Sequence, residues 1–82
     1  MKEKTQEILD ALHEVANDNT IPKNIREKIN NIVASLNHAD ELSLKVDRAL
    51  HELEEISEDS NLQAYTRTQV WNIVSMLESL HN

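Results

Sequence analysis

Two pairs of histidine and carboxylate at i, i+3 spacing, Asp10-x-x-His13 and His51-x-x-Glu54, could hold a metal ion or move a proton. Helical bundles bind metals through such pairs when each projects inward from facing helices. Sliding the chain along itself by 41 residues places Asp10 on His51 and His13 on Glu54, so the two pairs are related by that offset. A metal-binding or hydrolytic site made of Asp10, His13, His51 and Glu54 is therefore one reading. The neighbouring residues favour another. Leu9, Leu12 and Val15 occupy the apolar positions around the first pair, and Leu50, Leu53 and Ile56 those around the second. A helix that turns those residues inward carries the histidines and carboxylates on its flank or in solvent. No set of inward carboxylates completes a di-metal site, and solvated placement is the expectation.

Composition removes most other chemistry. The chain has no cysteine, so it offers neither a thiolate nucleophile nor a thiolate ligand nor a disulfide. It has no glycine either, which excludes a phosphate-cradling loop and a dinucleotide turn. The run Glu52, Leu53, Glu54, Glu55 reads as one core leucine within a solvated acidic face. No enzymatic activity, cofactor or small-molecule substrate is expected. Fifteen acidic against eight basic residues give a net charge of −7, a field that repels nucleic acid and anionic lipid surfaces. No stretch approaches the ~20 apolar residues of a membrane span. The opening MKEKTQEILD lacks the apolar region of a signal peptide. A soluble, cytoplasmic protein is the expectation.

Two further groups stand out. Asp18 with Arg26, repeated as Asp59 with Arg67, sit where a guanidinium at the start of one helix can reach a carboxylate and the free carbonyls that end the helix before it. Their expected work is structural. The other group surrounds Trp71, the one tryptophan of a chain with one tyrosine and no phenylalanine. Trp71 lies beside the apolar stripe of its segment, one turn after Arg67 and two before Glu78, and its counterpart at the 41-residue offset is Asn30. It either closes the rim of the core under an Arg67 cation–π lid or anchors a contact with a partner protein. In the second case Arg67, Trp71, Glu78 and Tyr65 form the interaction surface.

The elements that must position these residues follow from apolar spacing. Four segments carry i, i+3, i+4, i+7 stripes: Ile8 to Ala16, Ile25 to Leu36, Val46 to Ile56 and Val70 to Leu77. No period-two run or glycine hairpin turn suggests a strand. Residues 5–41 and 46–82 align without a gap at nine identical positions, among them Asp18 with Asp59 and Arg26 with Arg67. Amphipathic helices share leucines by pattern alone, but they do not readily share the acid and the arginine. The reading is an all-α chain of one domain: a four-helix, up-and-down-like bundle of two duplicated helical hairpins. Thr20 or Asp18 is expected to cap the second helix with Pro22 in its first turn, Ser60 or Asn61 the fourth, and Asp40 or Ser43 the third.

The stretches NDNTIPKNIR and ISEDSNLQAYTRTQVWNIVSMLE, with the turn residues Asp18, Pro22 and Arg26 and the closing segment around Arg67, Trp71 and Asn72, resemble the archaeal uncharacterised protein family 0147 over essentially the whole chain. The resemblance implies a compact four-helix, up-and-down-like fold and no activity, substrate or cofactor. Leu62-Gln63 departs from the family, whose turns often carry proline there. The acid-then-arginine hairpin is also distantly similar to HEAT-type repeats, an analogy of fold alone. The function expected from these residues is a non-enzymatic protein-interaction module, a homodimer or a partner of another protein, acting through the flank of the fourth helix.

Overall fold

Apolar residues on one side of four successive segments can leave water together only if the segments pair, and the chain pairs all four. In the computed structural model they are α1 (Lys2–Ala16), α2 (Lys23–Leu36), α3 (Leu42–Ser57) and α4 (Ala64–His81). The structure describes residues 2–38 and 41–81, and of residues 2, 3 and 81 the backbone alone. Among the described residues there is no strand.

Each helix packs on its neighbours in sequence and α4 closes against α1, while among the described residues the backbones of the diagonal pairs, α1 with α3 and α2 with α4, stay more than 8 Å apart between Cα atoms. A stack of HEAT-like repeats would bring the first helices of the two hairpins together. The closed ring is instead that of an up-and-down four-helix bundle. The stripes meet at its centre: Leu12, Ile25, Ile29, Val46, Leu53, Ile56, Val70 and Leu77 are wholly buried. Val33 and Leu50, at the edges of their stripes, are only partly covered. Ile21 and Leu62, each three residues past a turn aspartate, fold inward and close one end of the core.

The caps differ from the sequence expectation. Pro22 is the residue before α2, with φ −61° and ψ 151°, and no side chain caps that helix. Its carbonyl instead accepts the amides of Ile25 and Arg26. A proline ring fixes φ near this value, which suits an extended lead-in as well as a first turn. Glu41 holds the same place before α3 without a side-chain cap, and Ser43 lies inside the helix. Asp40 lies outside the described residues. Ser60 and Asn61 precede α4 by too much to cap it, and the Gln63 carbonyl takes the Arg67 amide. Asp18 and Asp59 bind their own turns: the amides of Thr20 and Asn61 each donate to a carboxylate oxygen at 2.8 Å.

The helix C-termini pose the harder problem. A helix ends with four carbonyls lacking intrahelical donors, and a following glycine in the left-handed region often supplies the amides that satisfy them. This chain has no glycine, and no described residue has positive φ. The residues after α2 and α3, Asn37 and Glu58, keep right-handed dihedrals near −87°, −5°. Cations from the next helix do the work. Arg26 donates from Nε to the Ala16 carbonyl at 2.9 Å and from a terminal nitrogen to that of Asp18 at 3.1 Å. Arg67 repeats the pair 41 residues on, to Ser57 at 2.9 Å and Asp59 at 3.0 Å. Between them, Lys45 reaches the Leu36 and His38 carbonyls at 3.2 and 3.1 Å.

Removing such a donor strands part-buried carbonyls, and an unpaired acceptor costs about 1–3 kcal/mol. Arg26→Met and Arg67→Met, which keep most of the stem, are each expected to lower unfolding free energy by about that much in urea titrations. Arg67→Lys should recover only part of the loss, because an ammonium cannot reproduce the planar fork.

Candidate functional site

Four positions carried the metal-binding reading, and the bundle separates them. Asp10 and His13 are exposed on α1, and His51 and Glu54 are exposed on α3, its diagonal partner across the core. Neither pair is closed on itself. Asp10 accepts a hydrogen bond from Gln6 at 2.9 Å, and His51 faces Glu55 at 3.2 Å, one turn along, rather than Glu54. Among the described residues no three histidine or acidic side chains gather as a metal site would require. Bundle geometry explains this: side chains flanking an inward stripe on diagonal helices point away from each other.

The structural residues cluster at one end. Both Thr20 donors, amide and hydroxyl, bind one oxygen of the Asp18 carboxylate, at 2.8 and 2.6 Å. The other oxygen takes a longer 3.4 Å contact from the hydroxyl of Thr66, a wholly buried residue in the first turn of α4. These donors, Thr20 first, hold the Asp18 carboxyl below its ordinary value of 3.8, and the nearby Arg26 charge adds a smaller pull in the same direction. Asp18 thus joins the first turn to the second hairpin. Thr66 occupies the position that Ile25 fills at the 41-residue offset, so no hydroxyl answers Asp59 in that way. The sequence reading passed over Thr66 and Lys45. Thr66 looks like a surface threonine beside exposed Tyr65 and Arg67. For Lys45 the signal was present: Lys4 stands 41 residues before it, and Lys4 reaches the Ser79 hydroxyl near the end of α4 at 3.2 Å.

The interaction residues divide between the two flanks of α4. Trp71 is 51% and Tyr65 71% exposed, the two most open large apolar side chains among the described residues, ahead of Leu44 at 43%. At 3.6 residues per turn they fall about 120° apart. Tyr65, Gln69 and Met76 line an open groove of roughly 360 Å³ against Ala11 and Glu14 of α1. Trp71 and Glu78 lie on the side toward α3. Arg67 shares that side, half-buried, with its guanidinium turned into the carbonyls of the turn, Leu62 included at 3.4 Å. Tyr65, Trp71 and Glu78 thus border the outward side of α4, while the Arg67 guanidinium is turned away from it into the turn. What joins Trp71 to Tyr65 is the outward strip between them, Thr68, Asn72 and Ser75, all exposed and uncharged.

The model of a family described as Uncharacterised protein family (UPF0147) matches residues 1–80. A UPF0147 protein of Archaeoglobus fulgidus is 38% identical over 79 residues, covering 96% of this chain and 91% of its own. One from Methanocaldococcus jannaschii is 46% identical over 70 residues, covering 82% and 73% respectively. Among solved structures, the crystal structure of the unknown function protein MMP1188 superposes with a TM-score of 0.90 at 40% identity, over 99% of this chain and 93% of that one. None of these names states an activity, a ligand or a partner.

Two outcomes follow from this geometry. A carboxylate whose pKa is depressed in the folded chain adds stability above its unfolded value and loses it as pH falls through the folded one. Stability is therefore expected to decline below pH 3.8, and Asp18→Asn should flatten that decline in urea titrations over the acid range. Zinc or manganese should leave the unfolding midpoint of the chain unchanged, because a ligand raises it only by binding the folded state.

Proposed function

We propose a non-enzymatic, protein-docking role for this chain, which belongs to the uncharacterised protein family UPF0147. It works by presenting the outer side of α4, with Trp71 at the centre of the contact. The observation that carries this reading is the half-exposed indole of Trp71 on a chain whose other apolar stripes are closed into one core. Tryptophan is enriched among the few residues that dominate binding energy at protein interfaces, because a large rigid surface becomes dry at little entropic cost.

The pairing of the hairpins supports the same reading. Taken as one domain of two related hairpins, residues 5–41 and 46–82, the chain keeps Asn30 on one copy where the other carries Trp71. The surrounding core positions, Ile29 and Val70, Ile32 and Ile73, remain apolar in both. The exchange therefore changes the surface while the packing stays. The acidic, cysteine-free composition suits a cytoplasmic setting, and no helix among the described residues is long and apolar enough to cross a membrane.

Trp71→Ala is the direct test. It is expected to leave the circular dichroism spectrum of the helices intact, to shift the unfolding midpoint by only a few degrees, and to abolish association measured by sedimentation. Loss of helicity in that variant would mean that the indole is part of the core, and the docking role would fall.

A further inference from the structure

The outward side of α4 is unlike those of α1 and α3 in charge, and unlike that of α2 in carrying large exposed apolar side chains. Exposed positions of α1 include Glu7, Asp10 and Glu14, and those of α3 include Asp47, Glu54 and Glu55. On α4 the exposed positions from Tyr65 to Ser75 are Tyr65, Thr68, Trp71, Asn72 and Ser75, with no charge among them. The first charged side chain beyond them is Glu78. Thr68 returns its hydroxyl to the Ala64 carbonyl at 3.1 Å, so it presents a small, largely apolar surface.

We propose that this strip pairs with the same strip of a second copy, the two α4 helices running antiparallel about a two-fold axis between Trp71 and Asn72. The proposal rests on the docking role above and names its partner. Charge argues for it: two molecules of net charge −7 meeting through α1 or α3 would set carboxylate against carboxylate, and α4 lets them approach without doing so. Self-complementarity argues for it too, because a two-fold contact must match each residue to its own image. About that axis Trp71 faces Asn72, whose amide can accept from the indole N–H. Thr68 faces Ser75, two small residues that let the backbones come close. Tyr65 faces Glu78, a phenol donor opposite a carboxylate acceptor.

The strip is short. From Tyr65 to Glu78 it spans about 20 Å of helix, which places the contact among small interfaces of under about 1,200 Å². Such a dimer dissociates at micromolar concentrations, as a reversible contact would.

Sedimentation equilibrium of the full chain from about 1 μM to about 1 mM, with Trp emission and quenching recorded on the same samples, tests the pairing. The expected result is a monomer–dimer equilibrium whose emission shifts blue on assembly. Thr68→Glu should weaken it at least tenfold with helicity retained, and adding Ser75→Lys to that variant should restore it, because the new charges meet only across the antiparallel axis. A dimer indifferent to Thr68→Glu, or one not restored by Ser75→Lys, overturns the pairing. A chain monomeric throughout with red, quenchable emission also overturns it, while leaving the docking role intact with a different protein as partner. A monomer with blue, shielded emission overturns both.

Discussion

The structure depends on how a chain without glycine ends its helices. Each of the three connections leaves carbonyls that a left-handed glycine would ordinarily help to satisfy. Here they are met by a cation from the first turns of the following helix: Arg26, Lys45 and Arg67 in order along the chain. A side chain that reaches back over a turn also fixes how the second helix leaves it. The carbonyl bonds therefore tie the end of each helix to the start of the next at all three connections, and the shared apolar core closes the four helices into a ring.

The arrangement has consequences for the surface. Three of the eight basic residues are engaged at the turns, which leaves the exposed sides of α1 and α3 dominated by carboxylates. Arg67, which sequence alone offers as an interface residue next to Trp71, is held by the turn behind it and half-buried. The outward side of α4 is then defined by what it lacks. It bears no charge over most of its length, and it carries the two aromatic residues of the molecule. Two departures from the 41-residue offset lie on the same helix: Thr66, where the offset position holds Ile25, ties α4 to Asp18, and Trp71, where it holds Asn30, faces out.

The helices and the core were legible in the sequence because one period, that of the α-helix, governs both, whereas the bundle is favoured over stacked repeats because two hairpins are too few for a solenoid. Leu12, Ile29, Leu53 and Val70 could be assigned inward from spacing alone. The family 0147 resemblance pointed to the same fold, and the comparisons place the chain in that family. Caps were less legible. Ser60, Asn61 and Ser43 have the right chemistry for capping, but a side chain caps only from one backbone position, and turn length decided that position. Lys45 was hidden for a related reason: a lysine four residues into a helix looks solvated until the end of the preceding helix is placed beside it. On the surface, spacing separated the flank of Trp71 from that of Tyr65 once the helix was drawn, whereas the neutrality of the strip between them emerges only beside the acidic sides of α1 and α3.

The guanidinium-to-carbonyl bonds at the two aspartate turns hold the ends of α1 and α3, and they can be read one proton at a time. Hydrogen exchange of the Arg26 and Arg67 Nε protons, followed by NMR, would measure them in the intact chain. Both protons are expected to be strongly protected and to exchange only with opening of the hairpin that each closes. Exchange of either at the rate of a free arginine side chain would contradict the account, since the helix ends would then be held by something else.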